Sequence, residues 1–335
     1  MKILLTGGYG NISWWCTKKA IDLGYEVYVL NREQTTLTRR PIPAEAILIK
    51  TDYRNFEDTK KALEPYSFDV VCDFLCQGEN HARTAYELFK NKTKQYILIS
   101  SGVVYKRHEK TEEVFNENSE QYSEEDVSPY ILGKLQSEKF FLEKYKSEKF
   151  PVTIVRPGYT LDNILPYMIG HNCYTIADRY LREKPFLMAG SGDNLCTFTH
   201  SKDFAEAFIH LCGNIDSIGE AFNLTGDNVK SYNDVMSTFA KILAPQKNVN
   251  LLYIPYAECL NLSQFMPKDL MIQRMNNEVF DNSKIKSFAP DWKTTIDVKD
   301  IIALGIQWLN EDSRRIRINK DLDTKLEELT EKYKN

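Results

Sequence analysis

The first half of the chain alternates short apolar segments with longer stretches of helical periodicity. The apolar segments are rich in Val, Ile and Leu and show little alternation with polar residues, which is typical of strands covered on both faces. Strands that alternate with helices predict a parallel sheet with crossover helices, so we expect a doubly wound α/β fold. The predicted strands are 2–6, 26–30, 46–50, 69–75, 95–101 and 152–157, and the predicted helices are 13–23, 56–64, 80–91 and 129–147.

The pattern loosens after residue 158, where we expect a smaller α/β substrate domain. Its predicted strands are 186–190 and 222–226, and its predicted helices lie near 203–212, 231–243 and 297–310. The predicted domains are 1–158, with chain near 196–226 returning to its sheet, and mainly 159–310. Residues 311–335 predict a charged terminal helix whose apolar stripe is Leu322, Leu326 and Leu329.

Charge and composition narrow the classes of function. The 335 residues include 43 basic and 47 acidic side chains, and the net charge of −4 gives no electrostatic footprint for nucleic acid or an anionic membrane. No apolar run approaches the ~18 residues of a spanning helix. Seven scattered cysteines are typical of reduced thiols, and a strand that begins at residue 2 leaves no room for a targeting peptide. We therefore expect a cytoplasmic protein.

The segment TGGYGNIS follows the first predicted strand directly and opens a helix. Gly7 permits a tight turn, and Gly10 lets a pyrophosphate approach the backbone at the helix N-terminus. The third glycine position of a dinucleotide-binding turn holds Ser13, which still allows fairly close packing of helix on strand. An ordinary strand–helix turn is the alternative, but this context favours a dinucleotide.

The end of the second predicted strand bears on the choice of cofactor. An NAD-type fold usually places Asp or Glu here to bind the ribose hydroxyls, whereas this chain has Asn31 and Arg32. Arg32 suits a 2′-phosphate, and Arg39 and Arg40 lie nearby in sequence, so we favour NADP over NAD. A surface arginine without a cofactor role is the alternative. Asp52 follows the third strand, where a carboxylate can accept from the adenine amino group.

The strongest local signal is YILGK, from Tyr130 to Lys134. Ser128 and Pro129 are typical of a helix N-cap and first helical residue. A spacing of four then puts Tyr130 and Lys134 on one helix face. A lysine ammonium beside a phenol favours its ionised form, which suits proton transfer near neutral pH. Ser101 ends the fifth predicted strand at the carboxyl edge, where open parallel sheets bind ligands.

With these motifs the chain resembles the extended short-chain dehydrogenase/reductase family, in its NAD-dependent epimerase/dehydratase branch. The segments that carry the resemblance run through nearly the whole chain: TGGYGNIS, TDYRN, ISSGVVY, SPYILGK, VTIVRPGYTLD, GSGDNLCTFTHSKDFAEAF, GEAFNLTG and FDNSKIKSFAPDWK. Within the family, the resemblance to chloroplast stem-loop binding-like members is strongest around FDVVCDF and VLNR.

The resemblance implies a Rossmann fold and a role for each motif residue. It implies that Tyr130 is the catalytic acid/base, that Lys134 assists it and holds the nicotinamide ribose, and that Ser101 hydrogen-bonds the reacting oxygen. The cofactor contacts that it implies are Gly7, Gly10, Asn11, Ile12, Asp52, Tyr53, Leu75, Cys76 and Pro157, to which the strand-end pattern adds Asn31 and Arg32.

The chain departs from the family pattern at positions that bear on the substrate. Gly102 and Val103 stand where the sugar-nucleotide 4,6-dehydratases carry an Asp-Glu pair, so dehydration is disfavoured. Cys196 stands where many nucleotide-sugar epimerases carry an arginine that grips the diphosphate, and Arg274 is a candidate to replace it. The pocket is therefore expected to suit an uncharged polyol, a sugar moiety or another neutral ketone. Its expected residues are Thr160, Cys196 and His200.

Some candidate residues also have a structural interpretation. His200 and Asp203 form a His-x-x-Asp pattern that is more often structural, with Asp203 capping a helix that begins at Phe204. A direct substrate role for His200 is the alternative. Cys72 and Cys76 lie four apart on a strand without further ligands, so we assign no metal.

The leading hypothesis is an NAD(P)-dependent enzyme that transfers hydride at a secondary alcohol or ketone of a sugar-like or small polar substrate. Reduction, oxidation and epimerisation share one such site, because epimerisation is oxidation followed by return of hydride to the opposite face. A nucleotide-sugar 4-epimerase is the first alternative. A non-catalytic RNA-binding relative is the second, and the acidic charge balance argues against it. We expect a small-molecule substrate and a homodimer, with no nucleic-acid or membrane partner.

Overall fold

The structure, a computed structural model, describes residues 1–32, 37–107, 114–125, 127–170 and 174–334. The strands of the described chain are β1 (Lys2–Thr6), β2 (Glu26–Asn31), β3 (Ile47–Lys50), β4 (Phe68–Asp73), β5 (Thr93–Ile99), β6 (Val114–Phe115), β7 (Val152–Pro157), β8 (Tyr159–Leu161), β9 (Phe186–Ala189), β10 (Leu195–His200), β11 (Ala221–Leu224), β12 (Asn228–Ser231), β13 (Leu251–Ile254) and β14 (Val279–Phe280). The helices are α1 (Ser13–Asp22), α2 (Phe56–Leu63), α3 (Glu79–Phe89), α4 (Pro129–Glu148), α5 (Thr175–Leu181), α6 (Ser201–Phe208), α7 (Tyr232–Leu243), α8 (Tyr256–Leu260), α9 (Lys268–Arg274), α10 (Ser283–Phe288), α11 (Val298–Asn310) and α12 (Lys320–Tyr333).

A parallel sheet of seven described strands forms the centre of the molecule, in the order β11-β7-β5-β4-β1-β2-β3. Its interior strands are buried along almost their whole length, which explains why they carry apolar residues on both faces. Helices α1 and α6 pack together on one face, and α2, α3 and α4 cover the other. This arrangement confirms the doubly wound α/β fold that the sequence predicts.

A second hydrophobic core lies in the later part of the chain, between residues 161 and 329. The small sheets β12-β10-β8 and β13-β9 and helices including α5, α7, α11 and α12 surround it. Arg179 on α5 is 2 % exposed and pairs with Asp323 and Glu327 on α12. The terminal helix is therefore fixed to this core, and its predicted leucine stripe is buried.

A short parallel pair of strands, β6 and β14, joins the two parts of the chain. The ring of Phe280 packs so closely on Gly102 that a Cβ there would lie 2.5 Å from it, and it also contacts Gly158. Asn282 extends this junction by donating from Nδ2 to the carbonyl oxygen of Thr225 at 2.8 Å. Because Gly102 and Gly158 follow β5 and β7, the later chain closes over the carboxyl ends of the central strands.

The described cysteines are six buried free thiols, and Cys173 lies outside the described residues. Cys16, Cys72 and Cys212 belong to the core between the sheet and helices α1 and α6. Burial raises the pKa of the Cys16 and Cys72 thiols well above the ordinary value. These three thiols therefore contribute to the packing of the core between the sheet and helices α1 and α6. In the described ranges, no helix is long and apolar enough to cross a membrane.

Candidate functional site

The glycine-rich turn connects β1 to α1 and uses a backbone conformation that favours glycine. Gly7 has a φ of +70°, and its amide donates to the Leu30 carbonyl oxygen on β2 at 2.9 Å. A Cβ at Gly7 would lie 2.8 Å from Leu75 Cδ2, so the turn is in close contact with the residues that follow β4. Helix α1 starts directly after the turn, and the first amides of a helix have no partner within it. Such a turn fits a phosphate group.

Ser13 occupies the third glycine position and closes the turn on itself. Its hydroxyl donates to the Gly7 carbonyl oxygen at 2.6 Å and accepts from the Gly10 amide at 2.8 Å. Because the serine side chain folds back into the turn, α1 still packs closely on β1, and Ser13 is 1 % exposed. This departure from the family pattern therefore preserves the turn.

The two residues after Gly10 anchor the turn to the rest of the site. Asn11 Nδ2 donates to the Thr160 carbonyl oxygen at 2.9 Å, and Asn11 Oδ1 accepts from the Asp162 amide at 3.1 Å. Ile12 directly precedes α1 and packs against the core on the α1 face of the sheet. The side chain of Asn11 thus connects the turn to β8 and the residue that follows it.

A cleft of about 310 Å³, which we call the first cleft, lies between the glycine-rich turn and the ends of β2 and β3. Its lining includes Gly7, Asn31, Arg32, Arg39, Asp52, Tyr53, Arg54 and Leu75. Most of these residues come from four separate strand ends that the sequence predicts to hold a cofactor. The structure brings them together, and the combination of the glycine-rich turn with this cleft fits a dinucleotide.

Arginines dominate the charge of the first cleft. Arg54 donates to both oxygens of Asp52, at 3.0 and 2.7 Å, and these bonds lower the pKa of Asp52 to about 2. Arg32 Nη1 lies 3.8 Å from the same carboxylate. Arg39 contacts the ring of Tyr9, 5.6 Å from its centre. Three arginines therefore face one carboxylate in the lining, which leaves the cleft positive and suits a phosphate.

Asp73, at the end of β4, organises the strand ends beside the first cleft, although the sequence analysis does not single it out. Its Oδ2 accepts from the Tyr53 and Tyr96 hydroxyls, at 2.5 and 2.6 Å. Its Oδ1 accepts from the Thr6 hydroxyl at 2.7 Å and from the amides of the turn that carries Leu75, at 2.8 and 3.0 Å. A strand-terminal Asp within DVVCDFL is the sequence signal that could have identified it.

Among the other predicted cofactor residues, Leu75 faces the cleft and Cys76 does not. Leu75 is 41 % exposed, whereas Cys76 is fully buried and its thiol lies 3.5 Å from Ser137 Oγ. Burial raises the pKa of Cys76 to about 12. Tyr53 is also buried, with its hydroxyl on Asp73. Pro157 is the last residue of β7 and pairs with Leu224 of β11. It therefore lies at a strand end and is not part of the lining of the first cleft.

Lys134 is buried beneath the first turn of α4, at the ends of β4 and β5. Its Nζ donates to the Ile99 carbonyl oxygen at 2.8 Å and to the Cys76 carbonyl oxygen at 3.0 Å. The same nitrogen lies 6.0 Å from the centre of the Tyr130 ring. Tyr130 is 38 % exposed. The two residues therefore lie on one side of α4, with the ammonium group below the ring and the phenol toward solvent.

Ser101 follows β5 and lies close to the start of α4. It is 8 % exposed, and its Oγ accepts from the Val103 amide at 3.3 Å. Ile131 and Leu135 of α4 belong to the same small core as Val103 and the residues around it. Ser101, Tyr130 and Lys134 thus lie at one edge of the sheet.

The predicted substrate residues are all buried, with exposed fractions of 8 % for Thr160, 0 % for Cys196 and 2 % for His200. His200 caps α6, because its Nδ1 accepts from the Lys202 amide at 3.1 Å. Its Nε2 lies 3.7 Å from Asp162 Oδ1. Burial lowers the pKa of His200 below the ordinary value of 6.5. These contacts agree with the structural interpretation of this histidine.

The prediction for the start of α6 is wrong. The helix begins at Ser201 rather than Phe204, and Asp203 does not cap it. Asp203 lies in the first turn, where its carboxylate accepts from the Thr295 and Ile296 amides at 3.1 and 2.9 Å. The physical reason is that the imidazole nitrogen of His200 caps the helix. N-cap preferences favour Ser, Thr, Asp and Asn, so they do not predict a histidine at this position.

Cys196 is close enough to the buried Arg274, its candidate replacement, for the charge of the arginine to act on the thiol. The Cys196 thiol is 3.8 Å from Glu278 Oε2, and burial raises its pKa well above the ordinary value. Arg274 lies between the rings of Tyr159 and Tyr167, 4.4 and 4.3 Å from their centres. Its Nη1 donates to the Tyr159 hydroxyl at 3.2 Å and to the Tyr167 carbonyl oxygen. Much of the Arg274 guanidinium is therefore already engaged.

The described residues contain no cluster of three or more His, Cys, Asp or Glu side chains placed to hold a metal ion. Cys72 belongs to the core on the α1 face of the sheet, and Cys76 belongs to the core on the α4 face. The two thiols therefore point to opposite sides of the sheet.

The sequence profile of the NAD dependent epimerase/dehydratase family matches residues 3–225, a range that contains the glycine-rich turn, Ser101 and the whole of α4. The chain therefore belongs to the NAD dependent epimerase/dehydratase family, whose enzymes are of the extended short-chain dehydrogenase/reductase type. The family that the sequence motifs indicate is thus confirmed.

The chain is 24 % identical over 258 residues to chloroplast stem-loop binding protein of 41 kDa b from Arabidopsis thaliana. This match covers 72 % of the chain and 62 % of that relative's length. Two similar solved structures show the same fold at 18 % identity. They are dTDP-glucose 4,6-dehydratase from Bacillus anthracis in complex with NAD (TM-score 0.71, covering 94 % of this chain and 98 % of that one), and UDP-glucuronic acid 4-epimerase from Bacillus cereus in complex with UDP-glucuronic acid and NAD (TM-score 0.69, covering 93 % and 99 %).

Proposed function

We propose that the protein is an NADP-dependent oxidoreductase or epimerase acting at a secondary alcohol or ketone of a sugar-like or small polar substrate. The observation that carries the proposal is the position of Ser101, Tyr130 and Lys134 at one edge of the sheet. Lys134 also bonds to the carbonyl oxygen of Cys76, directly after Leu75 of the positively charged first cleft. Membership of the family supports it, because the family takes its name from NAD-dependent epimerases and dehydratases.

The glycine-rich turn and the first cleft would hold the cofactor, which supplies the hydride acceptor and donor when bound. Gly7 and Gly10 allow the backbone to approach the pyrophosphate. Arg32 lies where an added 2′-phosphate needs a cation, and Asn31 adds no negative charge at that point. Arg54 already neutralises Asp52. These features support NADP rather than NAD.

Tyr130 and Lys134 act as a pair in the proposed reaction. The two carbonyl oxygens that hold Lys134 fix an ammonium group 6.0 Å from the Tyr130 ring centre. Tyr130 is the acid–base group of the pair and would take the proton of the substrate hydroxyl during oxidation. The same phenol returns a proton to the oxygen when a ketone is reduced. Proton transfer in both directions therefore needs one side chain.

Ser101 orients the substrate oxygen. Its Oγ accepts from the Val103 amide, which leaves its own hydroxyl proton to donate to the reacting oxygen. That bond would hold the carbinol in reach of Tyr130. Gly102 and Val103 offer no acid–base pair for elimination of water, so dehydration is not part of the proposal.

The substrate is proposed to be uncharged because the diphosphate-binding arginine is missing. Burying an unpaired charge is expensive, and a neutral buried thiol at Cys196 cannot offset a diphosphate. Arg274 is engaged by Tyr159 and Tyr167. A nucleotide-sugar 4-epimerase remains the alternative, since Arg274 lies next to the Cys196 position.

The test compares Tyr130→Phe with the parent chain. NADPH oxidation is measured against a panel of ketoses and small polar ketones, and the best substrate is then used for both proteins. We expect Tyr130→Phe to lower turnover by about 10²–10⁴ while NADPH binding stays within a few-fold, because only proton transfer is lost. Tyr145→Phe, on the same helix but outside the site, is the matched control. Near-normal turnover of Tyr130→Phe would remove this residue from the mechanism.

RNA binding is the second candidate, because the Arabidopsis relative is named as a stem-loop binding protein. The net charge of −4 argues against a broad phosphate-binding surface. A gel shift with a stem-loop RNA at increasing salt separates the two candidates. A salt-dependent shift in a protein that does not bind NADPH would reverse their order.

A further inference from the structure

A second cavity, of about 380 Å³, adjoins the first cleft, and the two share Tyr9 and Arg39 in their linings. We call it the arginine cavity. Its walls are the glycine-rich turn with the start of α1, the chain at 38–40, the chain at 162–165, and the end of α11 with the residues that follow it. Its lining contains four arginines, Arg39, Arg40, Arg315 and Arg317, but Asp162 is its sole carboxylate in the described chain.

Two of these arginines are held firmly by the walls. Arg40 donates to both oxygens of Asp162, at 3.0 Å each. Its guanidinium carbon lies 5.1 Å from the ring centres of both Trp14 and Trp308. Arg315 stacks on Trp308 at 3.3 Å and donates to the Trp308 carbonyl oxygen at 2.6 Å. Because these contacts fix the side chains in advance, little conformational entropy is lost when an anion binds.

The other two arginines, Arg39 and Arg317, supply the excess charge. Both are exposed, and neither forms an ion pair with any carboxylate of the described residues. Asp162 cannot neutralise them, since both of its oxygens already accept from Arg40. The cavity is thus locally positive in a chain whose net charge is −4. A concave site with one sign of charge raises the local concentration of oppositely charged ligands.

We propose that the arginine cavity is a phosphate- or pyrophosphate-binding site. Planar guanidinium groups match the geometry of phosphate oxygens, and Gly10 and Asn11, directly before α1, line the same cavity. The phosphate has two possible sources: the dinucleotide itself, or a phosphorylated small molecule bound beside it. In the first case the site rests on the proposed function and gives the C-terminal segment a part in holding the cofactor. In the second case it is a separate ligand site.

The experiment uses Arg317→Gln, which removes an exposed charge without breaking an ion pair among the described residues. Arg314→Gln is the matched control, because Arg314 is three residues away on the same segment, pairs with Asp312 and lies outside the cavity lining. Calorimetry on the full chain measures the binding of inorganic pyrophosphate with and without saturating NADPH. The binding of NADPH alone is measured in the same way. Thermal unfolding of each variant checks that the fold is intact.

We expect Arg317→Gln to weaken the binding of pyrophosphate or NADPH about tenfold, which is the effect of one lost charge-assisted contact. Arg314→Gln should leave the binding of both ligands unchanged. Pyrophosphate that binds NADPH-saturated protein identifies a separate phosphorylated ligand, whereas competition between them identifies the phosphates of the cofactor. Equal affinities of Arg317→Gln and Arg314→Gln for both ligands overturn the proposal. Since pyrophosphate is also titrated without cofactor, a protein that fails to bind NADPH refutes the proposed function without deciding this site.

Discussion

Ser13 replaces a glycine with a hydroxyl group that the turn itself uses. The hydroxyl accepts from Gly10 and donates to Gly7, so it is satisfied although the residue is buried. Lys134 is a comparable case, because its buried ammonium group is held by two carbonyl oxygens rather than by a carboxylate. The partners of Ser13 lie within its own turn, whereas those of Lys134 belong to segments that are distant in sequence. Only the structure provides them.

Arg32 is expected to determine the preference for NADP. We predict that the parent chain binds NADPH at least tenfold more tightly than NADH, a difference of about 1.4 kcal/mol, which suits one charge-assisted contact. Arg32→Ala should remove most of that difference and leave NADH binding nearly unchanged. Fluorescence titration with both cofactors measures it, with Arg83→Ala, an exposed arginine on α3, as the control. Equal affinities in the parent chain would contradict the assignment.

His200 is expected to make stability depend on pH. Burial is the largest cause of its lowered pKa, and the charges of Arg40 and Lys202 act in the same direction, against Asp162 and Asp203. Since the folded pKa lies below 6.5, the unfolded chain binds the proton first as the pH falls. The free energy of unfolding should therefore be fully retained above this value and decrease below it.

His200→Asn tests that dependence, because Asn is a favoured N-cap that does not titrate. Urea unfolding of parent and variant between neutral pH and mildly acidic pH measures the slope. We expect a smaller decrease in the variant. An identical slope in both proteins would assign the pH dependence to other groups.

At the scale of elements, long periodic segments are predictable and short paired ones are not. Helix α4 begins at Pro129 after the Ser128 cap, as the sequence predicts, and β1 and β7 have the predicted bounds. The strands β6, β8, β10, β12, β13 and β14 are missed, because most of them are only two to four residues long, too short for a periodicity, and their pairing is decided by distant parts of the chain. The same limit applies to the site. Glycine and Tyr-x-x-x-Lys motifs are local, whereas the arginine cavity joins segments from both ends of the chain.

Asp73 is expected to be more important to stability than any surface carboxylate of its strand. Asp73→Asn replaces one accepting oxygen by an amide NH₂, so the groups that donate to that oxygen lose their acceptor, and each buried group left unsatisfied costs about 1–3 kcal/mol. We predict a loss of about 3 kcal/mol in the free energy of unfolding, with weaker NADPH binding because the network that holds Tyr53 and the turn carrying Leu75 loses one of its two accepting oxygens.

Asp69→Asn on the same strand is the matched control, since Asp69 lies at the more exposed end and pairs with Lys94. A surface pair of this kind contributes about 0–1 kcal/mol. Urea denaturation compares the two variants. Similar losses in both would show that the hydrogen-bond network of Asp73 has no special role.

At the scale of the whole molecule, the central sheet has a core on each face, and the later part of the chain builds a further core. Cys196 on β10 belongs to the later core, and Arg274 contacts Tyr159 and Tyr167, which pack in the same core. The choice between a neutral substrate and a nucleotide sugar therefore depends on side chains of this later core.

We predict that UDP and UDP-glucose bind weakly, because Arg274 already donates to Tyr159 and Tyr167 and no arginine occupies position 196. Calorimetry with saturating NADPH should detect no binding at micromolar ligand concentrations. Arg274→Ala, with its unfolding checked separately, is the companion variant. Micromolar binding that disappears in Arg274→Ala would make a nucleotide-sugar epimerase the better interpretation.

The packing of Phe280 on Gly102 has a consequence for synthesis of the chain. The side chains of the first cleft all come from the first 81 residues, whereas the ring that covers Gly102 is added about two hundred residues later. During translation the cofactor half of the site therefore leaves the ribosome long before the segment that closes the substrate half. A chain truncated before β14 would carry Ser101, Tyr130 and Lys134 and still leave the apolar surface around them uncovered.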